Sequence, residues 1–588
     1  MWCKYCNRET DDPICSTCGN PTSNEINHAV FWCEECNIPF VSILKKGKKY
    51  HQCPSCKTKT DLRVEDLRPV FPEERLLFEL MTGQEPLSLY KSSVWKAGSR
   101  YIVDGKFAKI NSALYDELDV TKYIDQLEKF QEKNIQISYE FFNKHIDKFI
   151  ETNNEWLNRF TQEAVDWVKD TRDNPKYKNM NFMVSFSGGK DSTAVSDVVM
   201  KALGNPRVLH MFGNTTLEFP TTYQYVEDYK QEHPFTPIRT VVNYDQQFLD
   251  LVDEIGPPAR LMRWCCSMFK TGPITRKLNQ ICRVHEDDED NQHNHIFTFY
   301  GIRKNESVSR SKYNRISGSD DSVKIRKQIV GSPIFFWKDV DVWLYLLANK
   351  VLFNYAYRLG YDRVGCWCCP NNNQRSQFLA RIYMPDQSKE WRDKLIEFAK
   401  KVGKPDPEVY VDTGAWKARQ GGNGVAAASE IKIKYSNCTT EDNAKIYQLN
   451  KPLSEEFYNM LIPFGIVKEG RKSLDEMVVY HPVTSMQILS IVPFSQKEYL
   501  YSVKVKVMNV ENVDELFRMV GYQIRKFNVC KKCLKCESIC QFGAISITPE
   551  RGYKIDKNKC RHCLMCVNQN YLPEGCLMGR YLRVKDEN

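Results

Sequence analysis

The sequence predicts a multidomain α/β protein whose largest domain is a doubly wound parallel sheet. An apolar run at 182–186 has the character of a buried strand, and a helical pattern at 190–203 follows it after a glycine turn. Strand-like and helical segments then alternate as far as residue 301. Because parallel strands need long crossovers, this alternation is typical of a sheet covered on both faces, with ligands at the carboxyl ends of its strands.

Chain length, net charge and cysteine content limit the class of protein. A chain of 588 residues has room for about four domains. Its 83 basic and 74 acidic residues give a net charge of +9, which permits a nucleic-acid partner without requiring one. The chain shows no run of about 18 apolar residues and no leader-like start, so we expect a cytoplasmic protein with no membrane partner. The 23 cysteines, mostly in C-x-x-C pairs, then indicate metal ligands.

The first strand–helix junction carries the segment S-F-S-G-G-K-D-S-T at 185–193. Glycines let the backbone approach a ligand, and amides at a helix N-terminus attract anions, so the segment is suited to holding a pyrophosphate. Its spacing is not that of a Walker A loop. It is identified as the PP-loop of the ATP pyrophosphatase superfamily, which implies cleavage of ATP between its α and β phosphates. The nucleotide-binding residues expected here are Ser185, Ser187, Gly188, Gly189, Lys190, Asp191, Ser192 and Thr193.

Residues 1–60 carry two sets of four cysteines, spaced C-x2-C-x8-C-x2-C and C-x2-C-x16-C-x2-C. Four thiolates on two tight turns suit structural zinc, and the second spacing is that of a zinc ribbon; rubredoxin-type iron is an alternative. Such modules contact nucleic acid or only pin two strands together, and both roles stay open. The expected zinc ligands are Cys3, Cys6, Cys15, Cys18, Cys33, Cys36, Cys53 and Cys56.

Residues 61–150 predict a small β-rich domain with a hairpin turn at Asp104-Gly105. We consider two roles for this domain: a packing module, or a module that binds RNA or DNA. The candidate nucleic-acid contacts are Lys96, Arg100, Tyr101 and Lys106.

The remaining boundaries follow from composition and pattern. We expect the sheet domain at 151–419 and a glycine- and alanine-rich linker at 420–429. Residues 430–525 predict a small α+β module whose role the sequence does not show. Residues 526–588 predict a ferredoxin-type domain.

The ferredoxin prediction rests on the run C-x2-C-x2-C-x3-C, which begins at residue 530, and on a second cysteine triplet that begins at residue 560. In two-cluster ferredoxins the fourth cysteine of each run ligates the other cluster. We therefore expect one [4Fe-4S] cluster on Cys530, Cys533, Cys536 and Cys576. The second would be held by Cys560, Cys563, Cys566 and Cys540. Zinc is the less favoured alternative for these eight residues.

Further motifs follow the PP-loop in a fixed order: G-N-T-T at 213, R-W-C-C at 263, G-I-R at 301, W-K-D-V-D-V-W at 337 and G-C-W-C-C-P at 365. As a set, over roughly residues 180–400, they resemble the phosphoadenosine phosphosulfate (PAPS) reductase-like branch of the ATP pyrophosphatases. The resemblance implies a third [4Fe-4S] cluster on Cys265, Cys266, Cys366 and Cys369. It also implies phosphate binding by Arg303 and Arg310 beside Gly301, and a place for Asn214 near the adenosine or the reacting phosphate.

Two departures separate the chain from sulfonucleotide reductases. The E-C-G-L-H type motif that carries their nucleophilic cysteine is missing, and the PP-loop is complete where reductases commonly carry an eroded one. A complete loop beside a cluster resembles the ATP-pyrophosphatase subunit of DNA phosphorothioation systems and the cluster-dependent tRNA thiolases.

The favoured hypothesis is therefore an ATP-dependent sulfur transferase that acts on DNA or RNA. ATP would adenylate the acceptor, and sulfur from a persulfide or a cluster would displace AMP. The catalytic residues expected are Lys190, Asp191, Arg303 and Cys368, with Asp191 binding Mg²⁺ and Cys368 carrying the sulfur. The alternative for Cys368, which is slightly favoured, is that it is merely a buried cysteine. The partners would be a sulfur donor such as a cysteine desulfurase, and an electron donor to the ferredoxin domain.

Two alternatives stay open. One is a PAPS or adenylyl sulfate (APS) reductase that receives electrons from its own ferredoxin domain. The other is a non-catalytic protein that binds nucleic acid and senses nucleotide or redox state. The oligomeric state cannot be read from the chain.

Overall fold

The structure is a computed structural model, and its description covers most of residues 2–583. The residues outside the description are 1, 4–5, 7, 11–13, 21, 23–24, 45–49, 61–62, 111–114, 116–118, 284–295, 309, 319–327, 423–424, 426–427, 429–430, 497–498, 551, 569–571 and 584–588. None of the described helices combines the length and the apolar character that crossing a membrane requires.

A six-stranded sheet forms the centre of the molecule. Its strands are β1 (Asn181–Phe186), β2 (Leu209–Gly213), β3 (Ile238–Val241), β4 (Ile296–Phe299), β5 (Ile316–Ser317) and β6 (Gln328–Gly331). They lie in the order β3-β2-β1-β4-β6-β5, and all neighbours are parallel except the edge strand β5. The chain winds outward from β1 in one direction and then returns to add β4 on its other side, so β1 and β4 flank the topological switch point.

Helices cover both faces of this sheet, which confirms the doubly wound fold. The crossover helices are α1 (Lys190–Leu203), α2 (Pro220–Glu232), α3 (Phe248–Ile255) and α4 (Gly272–Arg283), and α5 (Asp339–Ala348) follows the last strand. Val184 of β1 faces α1 and α5, whereas its neighbour Met183 faces α4 through Ile274 and Leu278. This alternation follows from the period of two in a strand, and it explains why β1 has apolar residues on both of its faces.

Short helices follow the sheet strands and connect them. Before α4 lie a helical turn at Trp264–Cys266 and a π-helix at Ser267–Thr271. The others are Lys304–Glu306, Arg310–Lys312, Tyr355–Tyr357, Gln374–Tyr383, Pro385–Lys401, Pro407–Asp412 and Ala415–Ala418.

The N-terminal part consists of small antiparallel sheets. Its strands are Trp2–Cys3, Arg8–Glu9, His28–Cys33, Ile38–Ile43, His51–Gln52, Lys59–Thr60 and Arg63–Val64. The next sheet contains Arg68–Pro69, Val94–Ala97, Arg100–Val103 and Lys106–Lys109, with the helix Pro72–Met81 between its first two strands. Its predicted hairpin turn has φ of +46° at Asp104 and +80° at Gly105, as a type I′ turn requires. Two long helices follow, Val120–Thr152 and Asn154–Asp173.

The C-terminal part begins with a six-stranded antiparallel sheet. In sheet order its strands are Tyr435–Asn437, Ala444–Leu449, Tyr499–Val507, Gln487–Gln496, Met477–Tyr480 and Ile466–Glu469. Its helices are Glu455–Leu461, Ile462–Phe464, Lys472–Leu474 and Val513–Val529. The cysteine-rich end then adds the helix Lys535–Ile539, the hairpin Ile545–Thr548 and Gly552–Ile555, the turn Pro573–Gly575 and the helix Leu577–Leu582.

The glycine-rich stretch predicted as a linker packs closely where it is described. An alanine carbon at Gly421 would lie 2.4 Å from the carbonyl oxygen of Arg583, and one at Gly422 would lie 2.4 Å from that of Leu582. Val425 and Ala428 are buried. The other residues of 420–429, apart from Gln420, lie outside the described residues. The glycines therefore permit close backbone contact, and the predicted linker packs against the C-terminal end of the chain at these positions.

A buried ion pair joins the N-terminal ribbon to the sheet domain. His28 Nε2 lies 3.1 Å from a carboxylate oxygen of Asp341, whose other oxygen accepts a hydrogen bond from Trp156 at 2.7 Å. Burial opposes the imidazolium charge, but the Asp341 carboxylate outweighs it and raises the pKa of His28 above its ordinary value. The charged form of the pair therefore persists to a higher pH than that of an isolated histidine.

We expect this pair to make docking of the ribbon depend on pH. A raised histidine pKa means that its stabilisation is fully present below about pH 6.5 and is lost as the pH rises through the folded-state pKa. The free energy of local opening, from amide hydrogen exchange in His28–Cys33, should fall as the pH is raised from 6 to 9. His28→Gln should lower it by about 3 kcal/mol at pH 6 and remove the slope. An unchanged slope in His28→Gln would contradict this assignment.

Candidate active site

The PP-loop and the segment after β4 meet at the switch point of the sheet. The loop follows β1 and leads into α1, and Gly301 follows β4. A side-chain carbon at Gly301 would lie 2.8 Å from the carbonyl carbon of Asp191 and 2.9 Å from the amide nitrogen of Ser192. Glycine is thus required at 301 because only its missing side chain lets the two segments approach this closely.

Hydrogen bonds inside the loop hold its shape. Gly188 has a φ of +71°, which favours glycine. The Ser192 hydroxyl donates to the carbonyl of Gly189 at 2.8 Å and accepts from the amide of Ser187 at 3.1 Å. From outside the loop, the Tyr357 hydroxyl accepts the amide hydrogen of Lys190 at 2.9 Å. The first amide of α1 is therefore already satisfied in this state of the protein.

Four charged side chains form a compact cluster above the loop. Lys190 Nζ lies 3.1 Å from carboxylate oxygens of both Asp191 and Asp339. Arg303 donates to the same two carboxylates, at 2.7 Å from Nε to Asp191 and 2.8 Å to Asp339. We call Lys190, Asp191, Arg303 and Asp339 the loop ion cluster. Its two cations and two anions balance.

Burial and charge act against each other in this cluster. Burial disfavours the ammonium, but Asp191 and Asp339 outweigh that effect and raise the pKa of Lys190. Burial likewise disfavours the carboxylate of Asp191, yet Arg303 and Lys190 lower its pKa to about 2. Lys190 and Asp191 therefore stay ionised across the physiological range.

A cavity of about 1080 Å³ opens over the loop ion cluster. That volume accommodates a nucleotide together with part of a second substrate. The predicted site residues that line it are Ser185, Ser187, Gly189, Lys190, Asp191, Ser192, Gly301, Arg303 and Arg310. Arg310 lies at its rim, where Glu306 pairs with both Arg310 and Arg363.

Three predicted nucleotide-binding residues are not part of this lining. Gly188 lies behind the loop, where an added side-chain carbon would meet Thr222 at 2.9 Å. The Thr193 hydroxyl is buried against that of Tyr225 at 2.7 Å. The Asn214 side chain accepts the amide hydrogen of Thr216 at 2.7 Å and so shapes its own turn. In this conformation local partners engage the Thr193 hydroxyl and the Asn214 side-chain oxygen, so a nucleotide contact by either residue stays a prediction.

The central set of cysteines, Cys265, Cys266, Cys366 and Cys369, lies at one end of the cavity. Cys266 lines the cavity directly. The pKa of Cys366 is raised mainly by burial and then by the neighbouring Glu218 and Cys266. The pKa of Cys369 is likewise raised mainly by burial, with a smaller effect of Cys266. These four thiols thus face a common space. Thiolates gathered in this way suit an iron–sulfur cluster, although they are too far apart to share a single ion.

Cys368 differs from its neighbours. Its side chain is buried in the core with Leu217 and Trp391. Burial raises the pKa of the Cys368 thiol well above its ordinary value. A sulfur carrier needs an accessible thiolate, so the structure favours the alternative that Cys368 packs in the core.

Two of the C-terminal cysteines have neighbours that agree with the expected ligand sets, and the exchange of ligands itself stays a prediction. Burial is the largest cause of the raised pKa values of Cys533 and Cys560. The next contributions come from Cys576 and Cys536 for Cys533, and from Cys540 and Cys563 for Cys560. The backbone bends identically around both sets, with φ of +53° and +59° at Lys532 and Leu534 and +52° and +57° at His562 and Leu564. Positive φ outside glycine is uncommon, and its repetition indicates two equivalent cradles.

Both N-terminal sets are compact enough for one ion each. The sulfur atoms within each set of four lie within 4.8 Å of one another. The amide of Cys36 donates to the sulfur of Cys33 at 3.4 Å, and the amide of Cys6 donates to that of Cys3 at 3.3 Å. Among the residues that the structure describes, these are the two groups with single-ion geometry, and they fit zinc.

Several residues of the cavity were not predicted as site residues. Asp339 belongs to the loop ion cluster, and Lys270 reaches the cavity between the loop and Cys266, with Glu218 opposite. Both belong to motifs noted in the sequence, so their position was recognisable although their roles were not. Tyr357 has no sequence signal, since it reaches Lys190 from 167 positions away.

The far wall of the cavity is a second ion network that we call the Glu74 network. The Glu74 carboxylate accepts hydrogen bonds from Arg68, Arg375 and Tyr101, and Asp362 accepts from Arg68 and Lys96 at 2.7 Å each. Lys96 and Tyr101 are thus buried and hydrogen-bonded to Asp362 and Glu74, so the suggestion that they contact nucleic acid is wrong. Arg100 and Lys106 stay exposed.

The family comparison agrees with this geometry. Residues 181–372 match the phosphoadenosine phosphosulfate reductase domain. The sheet domain is therefore a PAPS reductase-like domain of the PP-loop superfamily, and its relatives are enzymes.

Individual relatives share only parts of the chain. An uncharacterized protein of Methanocaldococcus jannaschii is 31% identical over 47% of this chain and 54% of its own length, so the chain spans about half of that relative. An adenosine 5'-phosphosulfate reductase of Oceanobacillus iheyensis is 26% identical over 35% of this chain and 81% of the reductase. The U34-tRNA thiolase of Methanococcus maripaludis, solved with its [4Fe-4S] cluster, aligns with a TM-score of 0.23 at 15% identity over 46% of this chain and 84% of the thiolase.

Metal analysis tests the proposed ligand sets. Three four-iron clusters and two zinc sites predict about twelve iron and about two zinc per chain. Cys369→Ala should lower the iron to about eight, whereas the matched variant Cys368→Ala should retain about twelve, because only Cys369 faces the central space. Anaerobic purification followed by elemental analysis measures both. Iron near four in the unchanged protein would contradict the two C-terminal sets, and equal loss in the two variants would contradict the choice of Cys369.

Proposed function

We propose that this protein is an ATP-dependent sulfur transferase that adenylates a nucleic-acid acceptor and releases pyrophosphate. The observation that carries the proposal is the complete PP-loop, whose Lys190 is held between two carboxylates at the switch point of the sheet. A loop that binds only a 5'-phosphosulfate has no pyrophosphate to hold, so its lysine and hydroxyls would lack a purpose.

The proposed first step uses the loop ion cluster. The acceptor oxygen attacks the α-phosphorus of ATP, the bond from that phosphorus to the bridging oxygen breaks, and pyrophosphate leaves. Lys190 and Arg303 would turn from the two carboxylates to the departing pyrophosphate and stabilise its charge. Asp191, released by that movement, would then be free to bind the Mg²⁺ that enters with ATP.

The second step transfers sulfur. A persulfide donor attacks the activated acceptor atom, the bond from that atom to the adenylated oxygen breaks, and AMP leaves. The resulting disulfide needs two electrons and two protons to release the thiolated acceptor and the donor thiol. The central set would hold the cluster next to this reaction, and the eight C-terminal cysteines would hold the clusters that supply the electrons.

Reduction of APS or PAPS is the second candidate. The observation that favours it is the ferredoxin-like end of the chain, which packs directly against the central set through Leu534 and Gly272. Electron delivery to a reductase would explain this contact without ATP. The complete loop and the missing cysteine motif are the reasons that we place it second.

Pyrophosphate release tests the first step. With Mg²⁺ and ATP, the protein should release pyrophosphate, and single-stranded DNA or RNA that contains the acceptor should stimulate the release. Lys190→Ala should lower the rate by about a hundredfold or more, because a buried cation at the leaving group is lost. The control is Lys178→Ala, which removes an exposed lysine from the same domain. Equal rates in both variants would contradict the role of Lys190.

A further inference from the structure

We propose that an acidic one-electron carrier protein docks on the outer end of the ferredoxin-like domain, on the exposed cations around Cys563, and that electrons pass from there inward to the central set. The inference rests on the proposed function only for the use of the electrons, and it assigns the surface through which they enter.

The two C-terminal sets differ in exposure. In the inner set, Cys530, Cys533, Cys536 and Cys576, three side chains are buried and Cys530 is half-buried. In the outer set, Cys540, Cys560, Cys563 and Cys566, Cys563 is exposed. Transfer between proteins requires a close approach to the cluster, so the outer set is the accessible one.

The inner set is turned toward the active site. The helix Leu577–Leu582 packs against the turn Trp264–Cys266, and Tyr581 lies within electrostatic reach of Cys533 on one side and of Cys265 and Cys266 on the other. At the same contact, a side-chain carbon at Gly272 would lie 2.7 Å from the Leu534 side chain. The inner and central sets are thus separated by little more than one layer of side chains.

Hydrogen bonds hold the ferredoxin-like domain against the sheet domain. Arg276 of α4 donates to both carboxylate oxygens of Glu537 at 3.1 Å and to the carbonyl of Ile547 at 2.7 Å. Gln246 donates to the carbonyl of Lys531 at 2.8 Å. The ferredoxin-like domain and the sheet domain therefore share a specific interface within one chain. The outer set is the cysteine set that stays accessible to other molecules.

The surface around the outer set is cationic. Between Gly552 and Asn568 the chain carries four basic residues and one acidic residue, Asp556. Lys554, Lys557 and Arg561 are exposed, and no carboxylate of the described residues pairs with any of them. We call these three residues the cationic collar. Arg561 lies two positions from the exposed Cys563, and Lys557 lies four positions before Arg561, so these cations are close in the chain to the exposed thiol.

Charge complementarity selects the partner. A positive surface steers an acidic protein toward it, and electron-transfer encounters are small and transient, so a few unpaired cations are sufficient. In each event the carrier loses one electron and the outer cluster gains it, with no bond made or broken. Because a nucleic-acid backbone is also anionic, it is the competing occupant that the experiment must separate.

The test uses the full-length protein with its clusters and reduced bacterial flavodoxin, an acidic flavin carrier, as the probe. The variant Lys557→Glu/Arg561→Glu reverses the collar, and Lys178→Glu/Arg207→Glu makes the same change of charge on exposed residues of the sheet domain. Stopped-flow absorbance of the flavin semiquinone gives the second-order rate of electron transfer. The collar variant should react at least tenfold more slowly at low ionic strength, and the difference should vanish at high salt.

Reduction by titanium(III) citrate and the iron content should be the same in both variants, which shows that the clusters are intact. Equal flavodoxin rates at low salt would overturn the proposal. Loss of single-stranded DNA or RNA binding, by fluorescence anisotropy, with an unchanged flavodoxin rate would assign the collar to the acceptor and would overturn it too. Pyrophosphate release does not need these electrons, so it can persist when this inference fails.

Discussion

Two buried cations and two partly buried carboxylates hold the active site together. The loop ion cluster joins three segments that are distant in the chain: Lys190 and Asp191 at the start of α1, Arg303 after β4, and Asp339 at the start of α5. Removing such groups from water is costly unless each has a partner, so the four side chains constrain one another's position. Asp66 extends the arrangement by accepting the amide hydrogens of Asp339 and Val340 at 2.8 Å and 2.9 Å. The switch point of the sheet is thereby linked to the N-terminal domains.

The same cluster explains how the site can exchange partners. The two cations have carboxylates as neighbours, and a polyphosphate offers them equivalent anionic oxygens. Binding would therefore exchange one set of charge-assisted hydrogen bonds of the two cations for another. On the far wall, the Glu74 network has a different role. Its members bind one another between the small β-domain and the loop that leads to Cys366, and this fixes the distance from the nucleotide to the central set.

The sequence predicted those features that short segments determine. The strand 182–186, the glycine turn and the helix Lys190–Leu203 were predictable because hydrophobic period and turn chemistry act within about ten residues. Cysteine spacing likewise indicated the N-terminal and C-terminal candidate sets, whereas the central set was implied by the family resemblance. Contacts over long sequence distances were not predictable. Lys96 has the appearance of a surface cation until Asp362, 266 positions away, is placed beside it. The 33-residue helix Val120–Thr152 also lies mostly in the segment predicted to be β-rich, and its stability depends on packing against neighbouring elements.

The central claim is that the site acts on ATP and not on a sulfonucleotide. Sulfite formation tests it most directly: the reduced protein with all its clusters is given PAPS or APS without ATP, and sulfite is measured over many equivalents of electron donor. We predict no sulfite above the level of protein that lacks its clusters. Sulfite produced in step with the electrons consumed would contradict the account and assign the chain to the reductases.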